Sequence, residues 1–207
     1  MGLNEKVPNQ LLYLTFMTAE EIVGKNGLKT ILNYSGLQRF VDNYPPDNLE
    51  LGVYNKDFIQ FLTGVIGVFG EKGARPILFR GGMRSFEIMK EQFPSLYAME
   101  GIDKLDRTPE KLFGELKRIY QLIVDASVYI HGDIYKYYES EEGLILEISP
   151  CHWCLDLKTQ NPICFVQTGF QQGLAREIFG QTVTIEETSC IAVGDPMCKF
   201  VIHRPSK

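Results

Sequence analysis

The sequence predicts an α/β protein of the α+β kind: an antiparallel sheet with helices packed against it, preceded by a helical N-terminal portion. Three observations carry that reading. Apolar residues recur at spacings of three and four over much of residues 9–125, the period of an amphipathic helix. From about residue 133 the period falls to two, as in Leu144, Leu146 and Ile148, which is the alternation of a strand. The strand segments are joined by short turn clusters, Ser140-Glu141-Glu142-Gly143 and Gly194-Asp195-Pro196, and connections of that length join antiparallel neighbours. The expected organisation is a helical portion over 1–127 packed as one unit with a sheet, helix and metal-site region over 128–207.

Taken in order, residues 9–25 read as a helix, with Leu12, Phe16, Ala19 and Val23 at near-helical spacing and Gly24 and Gly27 at its end. A shorter helix follows over Leu28 to Tyr34, and the paired prolines of Asn43-Tyr44-Pro45-Pro46-Asp47-Asn48 make a turn. Asn55 is the expected N-cap of a strongly apolar helix carrying Phe58, Phe61, Leu62, Val65, Ile66 and Phe69. Gly64, Gly67 and Gly70 cost that helix stability but permit close approach, so it is assigned to the core or to a homodimer face. Pro76 suits the start of a helix reaching Phe93. Arg75, Arg80 and Arg84 read as a solvated face rather than an anion site. Thr108-Pro109 is an N-cap followed by proline at the first helical position, and Leu112, Leu116, Ile119, Tyr120 and Ile123 form one stripe beyond it. Strands follow over 133–139 and 144–149, then a helix from Phe165 to Phe179 with Gly180 as its C-cap.

The last third carries the chemistry. From Val183 the odd positions Val183 and Ile185 are apolar while Thr182, Thr184 and Glu186 are polar. Parity therefore sets Glu187 on the inward face, where a carboxylate needs a partner. Beyond the Gly-Asp-Pro turn, Cys198, Phe200 and Ile202 share one face, so a hairpin brings Cys190 and Cys198 opposite each other with Glu187 nearby. Cys164 joins them if the helix it precedes packs on that sheet. Three thiolates and one carboxylate make a tetrahedral zinc site. Buried free thiols would explain the cysteines but not the inward carboxylate. Cys151-His152-Trp153-Cys154 adds a Cys-x-x-Cys pair followed by a loop, which leaves open which thiols hold the metal. Cys151 and Cys154 rank as auxiliary or substitute ligands, or as the lip of a pocket, ahead of redox chemistry.

The run Cys164-Phe165-Val166-Gln167-Thr168-Gly169-Phe170, with Gly173-Leu174-Ala175, Phe179-Gly180, Glu187-Thr188-Ser189-Cys190 and Gly194-Asp195-Pro196-Met197-Cys198-Lys199-Phe200, resembles the C-terminal signature of the 4-vinyl-reductase-type (4VR) domain family. That family includes sensor domains of aromatic-responsive activators, bacteriochlorophyll-linked proteins and relatives of TRAPP vesicle-tethering subunits. The resemblance implies a TRAPP-subunit-like fold. It also implies that Cys164, Glu187, Cys190 and Cys198 hold a structural zinc ion. The function implied is binding or sensing of an apolar or aromatic small molecule, a hydrocarbon or tetrapyrrole. Its rivals within the resemblance are a tetrapyrrole 4-vinyl reductase or accessory carrier, and a dimeric scaffold.

The lining residues expected for the pocket are Tyr137, Trp153, Phe170 and Ile185, chosen for size and inward direction. No Gly-x-Gly-x-x-Gly, Walker loop or nucleophile elbow occurs, and His131, His152 and His203 stand apart from one another, so a binding role is expected rather than catalysis. The net charge of -5 and a pI near 5.3, with no basic stripe, argue against a direct nucleic-acid surface. Without a signal-like start or a run of about 18 apolar residues, and with five cysteines suited to a reducing compartment, the expected location is cytoplasmic.

Overall fold

The computed structural model describes residues 2–97, 108–131 and 134–205, with side chains left undescribed over 126–131. Strand β1 (Lys6–Pro8) leads into helix α1 (Asn9–Tyr34), and β2 (Leu51–Tyr54) pairs antiparallel with β1, Val7 opposite Val53. Helices α2 (Asn55–Gln92), α3 (Pro94–Tyr97) and α4 (Pro109–His131) follow. Strands β3 (Tyr135–Glu139) and β4 (Gly143–Ile148), helix α5 (Phe165–Phe179), and strands β5 (Ile185–Ser189) and β6 (Cys198–His203) complete the chain. The second sheet is antiparallel in the order β3-β4-β6-β5, so the last strand in sequence lies inside it. Among the described residues no helix is long and apolar enough to cross a membrane.

Both long helices bend at glycine. Gly24 in α1 and Gly70 in α2 hold φ of 74° and 67° with ψ near 167° and 165°, a conformation that side-chain-bearing residues rarely adopt. The two helices expected over 9–34 are thus one kinked element. In α2 the second segment resumes directly after Gly70, so Pro76 lies inside it rather than at its start. The N-cap of α2 is Tyr54, not Asn55. The carboxylate of Asp57 accepts the Tyr54 backbone N–H at 3.2 Å, while the Asn55 N–H donates to the Glu5 carbonyl at 3.0 Å. At α4 the expected cap holds, with the Lys111 N–H reaching Thr108 Oγ1 at 3.4 Å. Gly180 closes α5 in the left-handed region, φ 69°.

Two apolar clusters share α2 and α5. Phe16, Ile31, Phe58, Phe61 and Val65 are buried in the first together with Val166 of α5; Leu116, Tyr120, Leu174, Phe200 and Ile202 are buried in the second together with Phe86 of α2. The helices touch through backbone. A Cβ on Gly82 would stand 2.0 Å from the Val166 carbonyl oxygen, and one on Gly169 would stand 1.9 Å from that of Phe79. It is helix α2, rather than a sheet or a ligand, that comes close at Gly169. Gly64 and Gly67 likewise face α1, where an added Cβ would meet Ser35 and Tyr34. The apolar stripe from Phe58 to Val65 is therefore consumed within the chain.

Candidate functional site

Strand pairing assembles the thiols. Because β6 is central, Cys198 lies opposite Ile148, the last residue of β4. The chain leaving β4 passes at once into Cys151-His152-Trp153-Cys154, and this loop folds over the end of β6. Cys164 is the residue before α5, and Cys190 ends the segment that follows β5. Asp195 of the Gly-Asp-Pro turn holds that end in place, accepting the Cys190 N–H at 2.8 Å. All five cysteines are buried and unbridged.

The sulfur atoms lie at 3.8 Å for Cys151–Cys164, 3.7 Å for Cys164–Cys198, 3.3 Å for Cys154–Cys198, and 3.9 Å for both Cys154–Cys190 and Cys190–Cys198. Zinc–sulfur bonds of about 2.3 Å in a tetrahedron put sulfur atoms about 3.8 Å apart, so the cluster has the dimensions of a metal-thiolate shell. Two groups of four donor atoms lie within 4.8 Å of one another: Cys151, Cys154, Cys164 and Cys198, and Cys164, Glu187, Cys190 and Cys198.

Glu187 faces inward as its parity requires, β5 alternating between half-buried and exposed positions. Its Oε2 accepts the Cys164 backbone N–H at 3.0 Å, while its buried Oε1 has no hydrogen-bond partner. Burial, then the neighbouring charge of Cys190, push its carboxyl up to about 9. Burial likewise pushes the Cys164 thiol well above its ordinary value. A buried carboxylate oxygen with no donor costs free energy that a cation would offset. The residues present therefore fit a divalent, thiophilic ion.

Beside the cluster lies a cavity of about 370 Å³ between α1, α2, α4, α5 and the sheet. Its wall carries no charged side chain and no histidine. Trp153 and Phe170 line it; Tyr137 and Ile185 are not part of its wall. Tyr137 instead donates its hydroxyl to Gln121 Oε1 at 2.7 Å, and Ile185 packs on the sheet side of the core from β5. The side chains not foreseen include Met89, Tyr97, Tyr120, Gln167 and Gln171. Gln167 and Gln171 are 5% and 3% exposed, and Tyr120 donates its hydroxyl to Gln171 Oε1. Desolvation holds the Tyr120 and Tyr97 phenols well above the ordinary tyrosine value, so both stay neutral hydrogen-bonding groups. A signal was available in the sequence: two glutamines four apart, next to Val166 and Phe170, put polar groups on a helical face that is otherwise apolar. Trp153 belongs to both features, since it lies beside Cys154, lines the cavity and packs edge-on against Phe58 with ring centroids 4.9 Å apart.

An α+β chain with a buried thiol cluster next to an uncharged cavity is matched in two ways by known proteins. Residues 144–204 match the family model of the vinyl-4-reductase (4VR) domain, which bears out the resemblance to that type over the half that contains the cluster. One uncharacterised protein of Methanocaldococcus jannaschii is 33% identical over 65 residues, 31% of this chain and 36% of that protein. The matched stretch thus spans about a third of that relative's length. Another from the same organism is 24% identical over 176 residues, 79% of this chain and 72% of that protein. Among solved structures, a Cs H-NOX mutant carrying 4-cyano-L-phenylalanine superimposes with a TM-score of 0.63 at 14% identity, covering 96% of this chain and 97% of the other. An H-NOX protein from S. oneidensis in the Fe(II)NO ligation state superimposes with a TM-score of 0.55 at 15% identity, covering 93% and 98%. The fold is therefore H-NOX-like over nearly its whole length.

Proposed function

We propose that this chain binds or senses an uncharged apolar small molecule in the cavity between its helices and sheet, with a zinc ion held by Cys164, Glu187, Cys190 and Cys198 pinning α5 to the β5–β6 edge. The observation that carries the reading is the cavity itself. At about 370 Å³ with no charged side chain on its wall, it falls in the size range of small-molecule sites, about 300–1,000 Å³, and would leave an anionic ligand without a counter-charge. The Tyr120–Gln171 pair and Gln167 offer one end at which a hydroxyl or carbonyl can be hydrogen-bonded. The closed donor set fits a structural ion, which supplies fold stability rather than an open coordination position. Solved H-NOX relatives are described in terms of heme distortion, which supports including a tetrapyrrole among the ligands tried.

The test is a thermal shift and Trp153 fluorescence titration with naphthalene, 1-naphthol and hemin. A melting temperature that rises with occupancy, together with a change in Trp153 emission, supports the reading. Ser85→Phe, which fills the cavity from the wall of α2, should remove the response and leave zinc bound. Turnover of a vinyl-bearing tetrapyrrole with added reductant would overturn it in favour of an enzyme. The zinc part stands or falls with elemental analysis of freshly purified protein, where one ion per chain is expected.

A further inference from the structure

Three of the proposed zinc ligands are thiols, and a second donor competes with Glu187 for the place they leave open. The sulfur of Cys154 lies 3.3 Å from Cys198 and 3.9 Å from Cys190, and within 4.8 Å of Cys164. Cys164 and Cys190 each lie within 4.8 Å of one another and of Cys198. Cys154 therefore closes a four-sulfur figure on the Cys164, Cys190, Cys198 triangle, its shorter edges matching the roughly 3.8 Å expected of a zinc tetrathiolate. Glu187 closes a second figure on the same triangle, its carboxylate oxygen also within 4.8 Å of all three. The two competitors come from unlike elements: Glu187 from β5, at the sheet edge, and Cys154 from the loop between β4 and α5. Glu187 is anchored by one oxygen only, its other oxygen being buried without a partner.

We propose that Cys154 and Glu187 are alternative fourth donors to a single ion held by Cys164, Cys190 and Cys198. The inference rests on the zinc reading given above and adds a residue and an exchange to it. In the exchange a zinc–oxygen bond breaks and a zinc–sulfur bond forms. The proton leaving the Cys154 thiol is taken up by the Glu187 carboxylate, which remains in place as a neutral acid accepting the Cys164 N–H. The charge of the centre is unchanged and no oxidant or reductant is needed. A soft thiolate favours the ion more than a carboxylate does, but it must first be deprotonated in a buried setting; the two contributions oppose each other. Cys151 belongs to the group with Cys154, Cys164 and Cys198 and not to the group with Cys190, which makes it the comparison residue.

The test uses the whole chain and its variants C154S, E187Q, C154S/E187Q and C151S, with circular dichroism to confirm folding. Zinc affinity is read by competition with a chromophoric chelator, and the number of bound thiolates by the sulfur-to-cobalt charge-transfer band of the Co(II)-loaded proteins. Each of C154S and E187Q should still bind one ion, weakened by less than about tenfold. The double variant should be weakened by more than about a hundredfold, well beyond the product of the single effects, the mark of donors that replace each other. The charge-transfer band of E187Q should exceed that of C154S in the ratio of four thiolates to three. E187Q as weak as the double variant would make Glu187 the fixed donor and overturn the exchange. C154S, or C151S, as weak as the double variant would overturn it in favour of a fixed all-cysteine site. A wild-type chain that takes up no metal removes the zinc reading, and the exchange with it.

Discussion

Glu187 shows how one residue can couple proton, metal and fold. Its carboxyl is held up to about 9 by burial and by Cys190, whereas in the unfolded chain it ionises near the ordinary value of 4.5. Between those two values the folded, metal-free chain keeps a proton that the unfolded chain has released, so its stability is greatest at the acid end and is lost as pH climbs toward about 9. Metal binding needs the carboxylate form and runs the other way. Chelated protein should therefore melt at progressively lower temperature from pH 5 to pH 9, and zinc should restore the loss most fully at the alkaline end. In Glu187→Gln, which has no proton to lose, the pH slope of the chelated protein should flatten; an unchanged slope would assign it to the thiols. The inward direction of Glu187 is readable from the alternation of Val183 and Ile185 with polar neighbours. The nearness of Cys154 is not, because it depends on β6 running beside β4, a pairing between strands about 50 residues apart that no local pattern records.

At the scale of elements, the α2–α5 crossing is the tightest constraint. Gly82 and Gly169 each present bare backbone to the other helix, at distances where a methyl group would overlap a carbonyl oxygen. Gly82→Ala and Gly169→Ala should each destabilise the chain by about 3 kcal/mol or more, as overpacking against backbone does. Gly114, exposed on α4 with nothing within 4 Å of an added Cβ, supplies the contrast: Gly114→Ala should stabilise by up to about 1 kcal/mol through helix propensity. Chemical denaturation of the three variants checks all of this at once. Much of this level is legible in the sequence. The stripe Leu112-Leu116-Ile119-Tyr120, the Thr108 and Gly180 caps, and the breaks at Gly24 and Gly70 follow from spacing and backbone chemistry. Strands β1 and β2 escape such reading because three or four residues are too few to show a period. Tyr137 and Ile185 fall outside the pocket because strand parity separates two faces of a sheet but does not say which part of the inward face meets a cavity and which meets packed core.

For the molecule as a whole, the cavity's uncharged wall sets a selectivity that can be measured without knowing the natural ligand. Naphthalene and 1-naphthol should raise the melting temperature, while naphthalene-1-sulfonate, of nearly the same shape, should not, because its charge would be buried with no partner. Equal shifts from all three would mean that the probes bind elsewhere. The cavity and the thiol cluster meet in Trp153, which lines one and stands next to Cys154 in the other. A side chain held in common makes the two sites thermodynamically linked, and linkage is reciprocal: whatever factor a cavity occupant applies to zinc affinity, zinc applies to the affinity for that occupant. A chain of this kind would then report metal supply and small-molecule supply together, its response to either signal set by the level of the other.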